Sequence, residues 1–198
     1  MIRTKVLCFS DIGKIDLPLD SLADVIRTNE PELIISLGRL ISENPEGIQS
    51  FRALISLGLT VLAIPGKSDI ELYASIRKHS FLDSVFIRWL DSKATLYGGY
   101  LFYGHSHGEF EKSLEYLYSP EQSVWCVPRD SDAPNLDFLG PRGENGLVPK
   151  FVVYPEGLLI PRIGEIMIEA PSLEKEKCLL FDFSDLTQKL LRFDAPVR

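Results

Sequence analysis

Three short loops hold the residue types from which metal or anion chemistry can be assembled: Ser10-Asp11-Ile12-Gly13, Gly38-Arg39-Leu40 and Gly66-Lys67-Ser68-Asp69. The carboxylate of Asp11 can ligate a metal ion, whereas the guanidinium of Arg39 and the ammonium of Lys67 have no lone pair to offer one. Those two cations suit another task, neutralising Asp11 or holding an anion such as phosphate. A fourth stretch, Gly104-His105-Ser106-His107-Gly108, places two imidazoles two residues apart, and neutral imidazole is a good ligand for divalent ions. The same five residues spell G-x-S-x-G, with Ser106 in the place of a hydrolase nucleophile. That chemistry needs a histidine further along the chain, and no histidine follows His107. Asp16 and Asp69 have the type of stray metal ligands but more often serve as turn or cap residues, and His79, beside Arg77 and Lys78, reads as a solvated or capping side chain.

The elements that must carry these loops are legible as alternating strands and helices. Lys5–Ser10, Glu32–Leu37 and Thr60–Ile64 are apolar runs rich in branched and aromatic residues, which predicts buried strands. Between them, apolar residues at 19, 22, 23, 25 and 26 make a helical stripe. Pro45 opens a second helix that stops at Gly58. Strand, helix, strand, helix, strand at this spacing implies a parallel sheet with right-handed crossovers. The three loops then lie together at the carboxyl ends of adjacent strands, where such sheets usually place their sites. Further helices are expected over 70–78 and 109–118, and strands over 85–89, 93–96, 99–103 and 123–127. Residues 119–149 read as loop, and the last fifty as an antiparallel meander. Its strands are expected over 150–154, 158–161, 165–169, 178–183 and 189–193, with Pro155-Glu156-Gly157 as its clearest turn.

This order of elements, with a glycine turn after each early strand, resembles the calcineurin-like metallophosphoesterase superfamily, and within it the small YfcE/Vps29-like branch. The family carries D-x-H, G-D, G-N-H-D/E, H-G and G-H-x-H, residues that bind two metals, activate water and clamp phosphate. Here the first motif keeps Asp11 and has Gly13 for the histidine. The second has Arg39 for the bridging carboxylate, and the third has Lys67 and Ser68 for Asn and His. Gly104-His105-Ser106-His107 matches G-H-x-H literally. Its place after the strand 99–103 instead suits the H-G pair, as His107-Gly108. On that second alignment, preferred because it accounts for the C-terminal third, the G-H-x-H position falls in Leu136–Gly143, without a histidine and with Arg142. The resemblance implies a metallophosphoesterase-like α/β sandwich flanked by helices, with a parallel N-terminal half and an antiparallel C-terminal meander, as one domain over 1–198.

What the resemblance implies about function divides in two. A non-catalytic binding or scaffold protein would use Arg39, Lys67 and Arg142 as an anion-binding pocket and need no cofactor. A residual metal-dependent phosphoesterase would hold one divalent ion (Mn²⁺, Zn²⁺ or Fe²⁺) on Asp11, His105 and His107, the histidines serving catalysis. The first is preferred, because Arg39 and Lys67 oppose a metal electrostatically. Composition bounds both readings. The 198 residues carry a net charge of −7 and no Lys/Arg run longer than a pair, which disfavours nucleic acid as a partner. A protein partner, a second copy of the chain and a phosphate-bearing small ligand remain compatible with the charge. Cys8, Cys126 and Cys178 are widely spaced and odd in number, without a C-x-x-C pair. With no signal-like N-terminus and no apolar run of membrane-spanning length, a cytoplasmic, reduced protein is expected.

Overall fold

The computed structural model describes residues 4–12, 19–40, 45–66, 69, 85–90, 94–104, 120–128, 149–158 and 166–193. Strands β1 (Lys5–Ser10), β2 (Leu33–Leu37) and β3 (Thr60–Ile64) alternate with helices α1 (Leu19–Asn29) and α2 (Pro45–Ser56). All three strands form where the apolar runs predict them, and they pair in parallel, Leu7 opposite Ile34 and Ile34 opposite Val61. Then follow β4 (Ile87–Trp89), β5 (Ala94–Tyr97), β6 (Tyr100–Gly104), β7 (Ser123–Cys126), β8 (Phe151–Pro155), β9 (Ile166–Ala170), β10 (Lys177–Asp182) and β11 (Thr187–Arg192).

Among the described residues the strands make two sheets. One has six strands in the order β11-β10-β1-β2-β3-β4, the other five in the order β5-β6-β7-β8-β9. Successive side chains on a strand point to opposite faces, so a strand covered on both sides is apolar throughout. Strand β1 shows this: Leu7 and Phe9 join the core beneath the helices, with Leu22 and Leu54, while Val6 and Cys8 face the second sheet. Between the sheets lies a core of Phe102, Val124, Phe151, Ile168, Phe181 and Phe183. The Phe183 ring centroid is 4.8 Å from each of Tyr100, Phe151 and Phe181. Cutting such a ring back to Ala costs about 3–5 kcal/mol, so this cluster is a main source of cohesion between the sheets. Polar ties reinforce it: the Tyr97 hydroxyl donates to the Glu32 carbonyl (2.9 Å) and the Tyr100 hydroxyl to that of Phe183 (3.0 Å).

The two-sheet α/β architecture agrees with the expected fold class, and the C-terminal third differs from the expected meander. Strand β9 runs parallel to β8, Phe151 opposite Ile166 and Pro155 opposite Ala170. Strands β6, β7 and β8 are likewise parallel neighbours. The antiparallel pairs of this region are β10 with β11 and β10 with β1. The turn at Pro155-Glu156-Gly157 exists, with Gly157 at φ 79°, but it does not close a hairpin between β8 and β9. The expected helices over 70–78 and 109–118 lie outside the described residues, as does most of the strand expected over 158–161. No helix among the described residues is long and apolar enough to cross a membrane.

Candidate functional site

The carboxyl ends of β1, β2 and β3 meet as the parallel order requires. The Gly38 N–H donates to the Ile64 carbonyl (2.7 Å), and the Asp11 N–H to the Gly38 carbonyl (3.4 Å). On its other side, the Ser10 N–H donates to the Pro171 carbonyl (3.0 Å), and Ser10 bridges Ser172 in parallel. Asp11 therefore sits where the β2 loop and the connection from β9 to β10 converge. Its backbone is left-handed (φ 62°), as are Gly38 (φ 64°) and Arg39 (φ 47°). Only glycine adopts that region without steric cost, so two strained positions face each other across adjacent loops.

Among the described residues of these loops, Asp11 and Arg39 form an ion pair. The Asp11 side chain is wholly buried, while Arg39 keeps 34% of its side chain exposed, and Arg39 Nη1 stands 3.7 Å from Asp11 Oδ1. The Ser10 hydroxyl donates to Asp11 Oδ2 at 2.8 Å. A buried carboxylate needs hydrogen bonds and a counter-charge; Ser10 supplies a hydrogen bond at Oδ2, and Arg39 stands beside Oδ1 at ion-pair rather than hydrogen-bond distance. The second buried acid, Asp69, points into its own loop and accepts from the Gly66 N–H at 2.8 Å. That is the cap-like role expected for it, and it closes the turn after β3.

A pair of divalent ions would need a convergent set of carboxylates and imidazoles. Among the described residues no group of three or more His, Cys, Asp or Glu is placed to hold a metal ion. Asp11 accepts from a hydroxyl and faces a guanidinium, and Asp69 accepts from a backbone amide. Of the candidate site residues, Asp11 and Arg39 are brought together; His105, His107, Lys67 and Arg142 lie outside the described residues. Ser10, Pro171 and Ser172 were not among the candidates. The last two meet Ser10, the neighbour of Asp11, from some 160 positions along the chain, and no local pattern could have announced them.

No protein-family model matches the chain, and neither does any curated protein. Solved structures do match. The structure of TT1561 of Thermus thermophilus is similar at a TM-score of 0.72 and 16% identity, over 98% of this chain and 100% of that one. The structure of an archaeal phosphodiesterase is similar at a TM-score of 0.57 and 14% identity, over 96% of this chain and 99% of that one. At such identities the likeness speaks to the fold alone, a two-sheet α/β architecture shared with these structures over nearly the whole chain.

Proposed function

We propose that this chain uses the metallophosphoesterase fold as a non-catalytic binding or scaffold module, with an anion pocket at the ends of β1, β2 and β3. One observation carries the reading: a partly exposed guanidinium, Arg39, stands 3.7 Å from the buried Asp11, where the resembled family has a bridging carboxylate. A fixed cation there repels divalent metal and attracts an oxyanion. A guanidinium carries five donors, so one edge can serve Asp11 while its exposed part serves a phosphate oxygen. Lys67 and Arg142 complete the proposed pocket. A protein partner or a second copy of the chain is the natural further occupant of a scaffold, and the three buried free thiols suit a cytoplasmic setting.

Calorimetric titration with inorganic phosphate and with AMP tests the pocket. Binding is expected for the wild type, weakened about tenfold or more in R39A, as the loss of a charge-assisted contact implies. Absence of binding by both ligands removes the pocket. The second reading, a residual phosphoesterase, is favoured by the retention of Asp11, buried at the end of β1. It requires metal in the purified protein and Mn²⁺-stimulated hydrolysis of an aryl phosphodiester that D11A abolishes. The non-catalytic reading requires neither.

A further inference from the structure

Strand β11 ends the six-stranded sheet, and among the described residues no strand pairs with its outer edge. At six residues it is longer than the other strands that end the two sheets, β4 with three, β5 with four and β9 with five. Proteins usually keep such edges short or covered, because a row of unpaired N–H and C=O groups invites another strand. This edge is open: Thr187, Gln188, Lys189, Leu190 and Arg192 are all exposed, Leu190 by 51%.

The pairing with β10 fixes where each backbone group points. The Phe193 N–H donates inward to the Glu176 carbonyl (2.9 Å). Antiparallel pairing alternates, so Leu191, Lys189 and Thr187 also bond toward β10, while Arg192, Leu190 and Gln188 turn their N–H and C=O outward. Side chains alternate as well. Leu191 and Phe193 belong to the core beneath the helices, so Lys189 and Thr187 share the α1 side, and Gln188, Leu190 and Arg192 lie on the other face. On the α1 side is a groove of about 270 Å³ whose lining includes Asp24, Val25 and Thr28 of α1 with Leu191 and Phe193.

We infer that β11 is a seam for a second copy of the chain, the two edges pairing antiparallel about a twofold axis at Leu190. The second copy fits because the edge is complementary to itself. With the axis at Leu190, residues 188, 190 and 192 of one copy face 192, 190 and 188 of the other, and every outward N–H meets an outward carbonyl. Leu190 then packs on Leu190, and the Gln188 amide faces the Arg192 side chain with no like charges opposed. On the α1 side, Lys189 of the second copy lies opposite Leu191, beside the groove that holds Asp24, so a cation meets an acid there. Axes at Lys189 or Leu191 carry Arg192 or Gln188 past the end of the facing strand, and the first also sets two ammonium groups face to face. The inference deepens the scaffold reading by giving the second copy a surface, away from the ends of β1, β2 and β3.

Sedimentation velocity over a range of protein concentrations, from micromolar upward, tests this. The mass is expected to rise from 22.3 kDa toward twice that value. L190K brings like charges together at the axis and is expected to weaken the dimer by about tenfold or more. Its melting curve in dilute solution should match that of the wild type, because the side chain is exposed. L190C should form a disulfide-linked dimer under mild oxidation, since the Cα atoms of such a facing pair stand about 5.5 Å apart, and K189C should not. The native thiols are buried and do not compete. A chain that stays monomeric throughout, its edge then being left to a strand of another protein, would overturn the inference. So would a dimer that L190K leaves intact, or one that K189C cross-links in preference to L190C. None of these readouts involves phosphate, so a failure here is distinct from a failure of the anion pocket.

Discussion

Asp11 and Arg39 combine two costs that a protein seldom accepts at neighbouring positions. Each holds a left-handed backbone without being glycine, and one of them buries a charge. For an L-residue the left-handed region costs about 1–2 kcal/mol. Charge and backbone contributions at residue 39 can therefore be separated by substitution. R39A removes the guanidinium and keeps the strain, whereas R39G removes both. R39G is expected to be more stable than R39A by about 1 kcal/mol in denaturant unfolding, the relief of strain being partly offset by the entropy glycine adds to the unfolded chain. Equal stability of the two would show that the turn imposes no strain there. Neither strained position was legible beforehand. Gly38 announces a turn in the sequence, but nothing in the types Asp and Arg says that their own backbones turn left-handed.

Among the elements, the first half was legible and the C-terminal third only partly so, for a physical reason that β8 and β9 show. A strand covered on both faces writes its burial into its own composition, as LIISL does in β2. The direction in which two strands pair is not written there; the chain between them decides it. Pro155-Glu156-Gly157 has hairpin chemistry, yet the Glu156 N–H donates to the Ala170 carbonyl at the far end of β9 (2.7 Å), as parallel pairing requires. The end of β6 is a further case of an element fixed by its neighbours. Gly104 precedes the His105–His107 motif, and a Cβ built there would lie 2.6 Å from the Leu90 carbonyl oxygen and 3.0 Å from the Leu90 Cβ. Leu90 cannot yield easily, because its N–H donates to the Ala63 carbonyl in β3 (3.0 Å). G104A is accordingly expected to destabilise the fold by about 1–3 kcal/mol, the range for forced overpacking. A midpoint of urea unfolding unchanged from wild type would show that the two segments can separate without loss.

At the scale of the whole molecule, one core lies between the sheets and another beneath the helices, and the three thiols report on both. Cys8 and Cys126 lie between the sheets, and Cys178 lies beneath the helices. Burial pushes the Cys178 thiol up to about 12, and raises Cys8 and Cys126 far above the ordinary 9.0. Burial raises Tyr97, Tyr100 and Tyr154 as well, with Glu32, Asp182 and Glu169 adding to it in turn. Each of these groups keeps its proton in the folded state at a pH where the unfolded chain has lost it. Their contribution to stability is therefore complete below the unfolded value of 9.0 for the thiols, and declines as pH rises from there toward 12. The slope is about 1.4 kcal/mol per pH unit for each thiol that titrates only on unfolding. Urea unfolding at pH 8, 9 and 10 should show the midpoint nearly level over the first step and falling over the second. Because the thiols occupy both cores, a thiol reagent should label none of them in the folded protein, and all three should become reactive over one urea transition coincident with loss of tryptophan signal. Early labelling of Cys178, ahead of Cys8 and Cys126, would mean that the helical layer opens without the sandwich.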